Sequence, residues 1–183
     1  AALDLAQLWA SIAPNNPEPI YIAGQYFIDS GQLVAALQQS KRLLALHASP
    51  LFLAIATNPA ATEEKTLASL SREYTTLLHD DPDNADLMLG NAALLAANTH
   101  YDDSLSLIEK VRAVDQKNLP ARLLEVDVLY KSGRPDTAIK HMSDIVNDEP
   151  DNDKLRMEYA RMLSESDLKK AREQFGLKNV YAM

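Results

Sequence analysis

The stretch Leu119–Asn152, LPARLLEVDVLYKSGRPDTAIKHMSDIVNDEPDN, decides how the rest of the chain is read. Leu123, Val126 and the Leu129–Tyr130 pair recur at helical spacing, which predicts a first helix from about Leu119 to Ser132. Gly133 follows at the point where a helix stops most easily in a left-handed residue. Asp136 opens a second helix with an apolar face of Ala138, Ile139, Met142, Ile145 and Val146. Pro150 and Asn152 close it, and the side-chain oxygen of Asn152 is placed to cap whatever helix comes next. The stretch therefore reads as two antiparallel helices joined by a tight turn.

Used as a ruler, this unit repeats. A step of 34 residues places unit starts at Pro17, Leu51, Ala85, Leu119 and Asp153, with no gap between Pro17 and Asn152. Immediately before each start stand Asn16, Pro50, Asn84, Asn118 and Asn152; Asn is a strong N-cap, and Ser49–Pro50 reads as a cap followed by a first-turn proline. The twentieth places are Ala36, Leu70, Ser104 and Ala138, where close helix crossing favours a small side chain and Leu70 is the exception. Facing them at the eighth places are Gly24, Asn58, Ala92, Val126 and Ala160. The twenty-seventh places, Leu43, Leu77, Val111 and Ile145, are all large and apolar.

With this period and these positions the chain resembles the tetratricopeptide repeat (TPR) family. The resemblance implies an all-α fold, a right-handed superhelix of helix-turn-helix repeats with about five units, the first preceded by a half repeat. The expected organisation is one array over 1–183: half repeat 1–16, repeats 17–50, 51–84 (irregular), 85–118 and 119–152, and a partial C-terminal unit 153–183. About eleven helices and no strands follow from it. In the last unit the turn, Ser164–Asp167, reads one residue short, with Ala171 and Phe175 one place early and Gly176 a candidate helix end.

Two units depart from the pattern. In 51–84, Pro59 breaks the first helix, which is expected to run only from about Pro50 to Thr57; Asn58–Pro59 then reads as the cap and first turn of a long second helix reaching about His79. Leu70 and Asn58 face one another, so a shortened first helix leaves room for the larger residue. At the other departure, Ala2, Ala6 and Trp9 stand at second-helix places while the partner first helix is missing from the sequence. Terminal repeats carry polar outer faces, and none is apparent here. The expectation is a fragment of a longer protein, or an end that packs on another molecule.

Composition narrows the function. A net charge of −8 argues against a nucleic-acid partner, and with it against an RNA-reading helical repeat of nearly the same period. The absence of cysteine excludes disulfides and thiolate chemistry. No apolar run is long enough to span a bilayer, so this segment is not expected to insert directly in a membrane. The four histidines, His47, His79, His100 and His141, fall at different repeat phases and converge on no metal-ligand spacing. Asp80, Asp81, Asp83 and Asp86 surround an inter-repeat turn but lack the glycine and glutamate of a calcium loop. Adjacent acids such as Glu63–Glu64 point in different directions on a helix and make a poor acid–base pair. The chain is read as not an enzyme, with no cofactor.

A binding groove is where the resemblance places function. In TPR proteins the first helices line the concave face, which implies partner contacts from Tyr21, Gln25, Ile28, Leu89, Ala93, Leu123, Asp127, Tyr130, Lys131, Met157 and Arg161. TPR domains that hold the acidic C-termini of heat-shock chaperones carry Lys and Asn at the fifth and ninth places. Here the pairs are Tyr21/Gln25, Leu89/Ala93, Leu123/Asp127 and Met157/Arg161, so that carboxylate clamp is absent. A mixed apolar groove suits a helix or an extended peptide. The expected function is a protein–protein interaction scaffold or adaptor with a protein or peptide partner. Lys154–Phe175 and the shortened unit before Asp83 are similar to TPR lipoproteins of Gram-negative outer membranes. One group of these brings a periplasmic processing protease to cell-wall hydrolases, which implies a periplasmic setting with a membrane tether outside this segment; the cysteine-free composition fits the cytoplasm equally well. The alternative is a self-assembly module, a homo-oligomer formed through the uncovered helix around Trp9.

Overall fold

A computed structural model describes residues 2–166. Ala171, Phe175, Gly176 and Leu177–Met183 lie outside the described residues, as do the side chains of Ala2 and Glu165. Among the described residues the secondary structure is ten α-helices and one 3-10 turn. Contacts divide the chain into two compact units, Ala1–Ala113 and Val114–Met183. The first holds α1 (Ala2–Ile12), α2 (Pro17–Asp29), α3 (Leu33–Ala45), α4 (Phe52–Ala56), α5 (Glu64–Asp80), α6 (Ala85–Ala97) and α7 (Tyr101–Val114), which ends at the boundary. The second holds α8 (Leu119–Lys131), α9 (Pro135–Asp148) and α10 (Asp153–Ser166).

Local chemistry sets these ends. The side chains of Asn16, Asn84, Asn118 and Asn152 accept hydrogen bonds from the backbone N–H of Glu18, Leu87, Ala121 and Leu155, satisfying donors that a helix leaves open at its start. At the fifteenth place of three units the chain turns left-handed: Gly31 (φ 71°), Thr99 (φ 62°) and Gly133 (φ 79°). Lys65, at that place in the irregular unit, lies inside α5 instead. Thr99 is β-branched and pays a left-handed penalty of about 1–2 kcal/mol that glycine escapes. Thr99→Gly gives back about 0.5–1 kcal/mol through the looser unfolded backbone. A net stabilisation of roughly 0.5–1 kcal/mol is expected, read as a higher urea midpoint at unchanged slope.

The repeat positions pack as their size requires. Ala36, Leu70, Ser104 and Ala138 are fully buried, and so are Leu43, Val111 and Ile145, whereas Leu77 of the irregular unit is only half-buried. The two buried polar side chains each have a partner: the Ser40 hydroxyl accepts from Leu51 N at 2.8 Å, and the Ser104 hydroxyl donates to the Ala92 carbonyl at 2.7 Å. The bond to Ser40 corrects the expectation at Ser49–Pro50. Leu51 N finds its partner on α3, and α4 begins only at Phe52, with no side-chain cap.

The irregular unit departs further than its proline predicts. Asn58 does cap the following turn, accepting from Ala60 N, but Pro59–Thr62 is a 3-10 turn and Glu63 is extended (φ −64°, ψ 129°). The second helix therefore starts at Glu64 rather than Pro59. The break buries Ala61 completely, while the Asn58 side chain donates to the Ile28 carbonyl at 3.0 Å. Behind α4, Leu70 and Tyr74 fill the space that a full first helix would occupy, and both are completely buried. The Tyr74 hydroxyl donates to the Phe52 carbonyl at 2.7 Å and its ring meets Phe52 edge-on at 5.6 Å. Burial pushes the Tyr74 phenol far above its ordinary range, so it remains a donor at any working pH. On the surface, Lys41 of α3 pairs with Glu73 of α5, whose carboxyl is held below its usual range by that hydrogen bond and charge.

Candidate functional site

The groove residues expected from the sequence separate into three groups. Ile28, Leu89 and Ala93 are buried in the first unit and present no surface to a partner, which removes them from a binding face. The reason is local: α6 is apolar on every side, with Leu87 through Gly90 and Ala92 through Leu94 all buried, so its groove positions serve as core. Tyr21 and Gln25 remain accessible on α2, and the Gln25 amide donates to the Tyr21 hydroxyl at 3.2 Å. Leu123, Asp127, Tyr130 and Arg161 come together in the second unit.

There, α8, α9 and α10 enclose a cleft of about 220 Å³. Leu123, Val126, Asp127 and Tyr130 come from α8, Met142 from α9, and Glu158, Arg161 and Met162 from α10. Val126 and Met142 are core residues of the α8–α9 pair and form an apolar floor together with buried Met162. The rim is charged and internally paired. Lys131 donates to Asp127 at 2.8 Å, one helical turn away. Arg161 donates to both carboxylate oxygens of Glu158, three residues apart. That hydrogen bonding holds the Glu158 carboxyl below its usual range and Arg161 above its own. On the other side of α8, His141 meets Glu125 at 3.2 Å and Arg122 meets Asp148 at 2.8 Å, tying α8 to α9 and fixing the floor. Met157 stands exposed on α10 outside the cleft lining.

The sequence reading missed Val126, Met142, Glu158 and Met162 as parts of this cleft. Met142 and Val126 carried only a packing signal, and Glu158 and Met162 fall at places that line no groove by repeat logic alone. Such a cleft has the chemistry to hold an apolar side chain between two ion pairs. Among the described residues, no group of three or more His, Cys, Asp or Glu is arranged to hold a metal ion, and no helix is long and apolar enough to cross a membrane.

Comparison with known proteins follows the same repeat. The tetratricopeptide-repeat pattern matches residues 95–162, which include the cleft. A TPR repeat-containing protein of Pseudomonas aeruginosa is 29% identical over 159 residues, covering 87% of this chain; the chain spans 27% of that relative's length. Among solved structures, a thermophilic TPR protein of Thermus thermophilus has a TM-score of 0.68 at 19% identity, over 88% of both chains. A tetratricopeptide repeat protein of Parabacteroides merdae has a TM-score of 0.62 at 17% identity, over 99% of this chain and 72% of its own. The fixed period, the asparagine caps, the paired helices and these likenesses all converge on one repeat: residues 95–162 match the tetratricopeptide-repeat model, and the fold is that of tetratricopeptide-repeat proteins.

Proposed function

We propose that this chain is a non-catalytic interaction scaffold whose cleft between α8, α9 and α10 seats one apolar side chain of a protein or peptide partner. TPR proteins generally act by binding proteins, and the observation that carries the reading is the apolar floor of Val126, Met142 and Met162 beneath a charge-paired rim. A leucine-sized side chain buried there contributes about 1.5–3 kcal/mol, roughly ten- to a hundredfold in affinity. The partner backbone would lie between Asp127–Lys131 and Glu158–Arg161, whose charges discriminate by sign more than they add affinity. A more specific role, an adaptor in the Gram-negative periplasm that brings a processing protease to its substrates, rests on the similarity around Lys154–Phe175.

Tyr130→Glu places a charge at the apolar wall of the cleft and is expected to weaken partner binding ten- to a hundredfold. The measurement is crosslinking capture from periplasmic extract, followed by titration of the captured protein against the wild type, Tyr130→Glu and Met157→Glu. Tyr26→Glu, on an exposed position of α2, serves as the control. Equal affinity for the wild type and Tyr130→Glu would remove the cleft as the binding surface.

A further inference from the structure

The N-terminal helix carries an apolar stripe that stands exposed among the described residues. Leu5, Leu8, Trp9 and Ile12 follow helical spacing on α1 and are 67%, 56%, 39% and 74% exposed, while Ala6 and Ala10 on the opposite side are buried. The repeat phase identifies what such a side faces. Leu5 and Leu8 occupy the twenty-third and twenty-sixth places, held in α3 by Gln39 and Arg42. In the α2–α3 pair the first helix passes against that side: a Cβ on Gly24, at the eighth place, would lie 3.4 Å from Gln39 Cβ. The preceding second helix lies there too, since Ala10 and Ser11 of α1 share a cavity with Gln39 and Arg42, and Lys41 of α3 reaches Glu73, the twenty-third residue of its unit. Trp9 stands at the twenty-seventh place, where Leu43 is fully buried.

We infer that the Leu5–Leu8–Trp9–Ile12 face is the seat of one more first helix of repeat type, lying antiparallel to α1 with a small residue at its eighth place against Leu5 and joined to α1 through a repeat turn. Continuity with the α2–α3 packing gives the register. The identity of the side chains gives the chemistry: Leu5 and Leu8 stand where α3, α5, α7 and α9 carry Gln39/Arg42, Glu73/Thr76, Leu107/Lys110 and His141/Asp144, and no other seat in the array pairs two apolar residues there.

The chain contains a single tryptophan, so Trp9 fluorescence reports this face alone. The test joins a copy of Pro17–Val34, a tryptophan-free first helix with its turn, directly to Ala1, which sets α1 in phase; a copy with two extra residues at the junction is the out-of-phase control. The in-phase extension is expected to shift Trp9 emission to the blue, raise helical circular dichroism and raise the urea midpoint. The control and an in-phase Leu5→Glu/Leu8→Glu chain are expected to show none of the three. Unchanged emission from the in-phase chain would overturn the proposal, and so would an extension that stays unfolded, because the seat is what folds it. A blue shift of the unextended chain that grows with its concentration would overturn it too, assigning the face to a second copy.

Discussion

Replacing Tyr74 with alanine is expected to destabilise the chain by about 3–5 kcal/mol, the range for removing a large aromatic from a tightly packed core. Tyr74 is completely buried, packs edge-on against Phe52 and donates to the Phe52 carbonyl, so the substitution removes ring contacts and a buried hydrogen bond together. The site has little means of collapsing, because α4 is only five residues long and the residue that precedes it, Leu51, is tied by its N–H to Ser40. Tyr74→Phe isolates the hydroxyl: it keeps the ring and is expected to cost about 1 kcal/mol. Urea unfolding of both variants separates the two contributions. A loss under 1 kcal/mol for Tyr74→Ala would mean that the space behind α4 is not a packed core.

The second large effect has a sign that helix propensity alone would get wrong. Gly90 lies inside α6, where alanine would ordinarily gain about 1 kcal/mol. Here an added Cβ would lie 2.4 Å from Tyr74 Cε1 and 3.2 Å from the Phe52 backbone carbon and Cβ. The ring is rigid and anchored at its hydroxyl, so it has no easy retreat. Overpacking of this kind costs about 1–3 kcal/mol, and Gly90→Ala is expected to be destabilising by an amount in that range. A double-mutant cycle checks the cause: in a Tyr74→Ala background the clash is gone, and Gly90→Ala should become neutral or stabilising. Additivity of the two substitutions would show that the ring is not the obstacle.

Much of this fold was legible in the sequence because its punctuation is local. Asn16, Asn84, Asn118 and Asn152 each act on backbone within three residues of themselves, and Gly31 and Gly133 are needed where they stand by the left-handed turn alone. The break at Glu63 was not legible, since no proline or glycine marks it; it follows from the tertiary contacts of Asn58 and Ala61. Groove residues were harder still. A helix such as α6, apolar all round, gives periodicity nothing to separate, so Leu89 and Ala93 could not be told from core. Around the cleft, Leu123, Asp127, Tyr130 and Arg161 were legible through repeat phase, whereas Met142 and Glu158 join them only once three helices are assembled.

The buried hydroxyls of Ser40, Tyr74 and Ser104 bear on a hazard peculiar to chains made of like pieces. Units that resemble one another can mate with the wrong neighbour, or slide by one turn, and still bury apolar surface. Each of these three groups has its partner at a different address: Leu51 N for Ser40, the Phe52 carbonyl for Tyr74 and the Ala92 carbonyl for Ser104. A mismatched pairing would strand a hydroxyl in a dry seam at a cost of about 1–3 kcal/mol. The polar groups thus act as keys that tell one repeat from the next. The 119–152 unit, with Ala138 and Met142 at the corresponding places, carries none and is the piece best suited to being copied or moved.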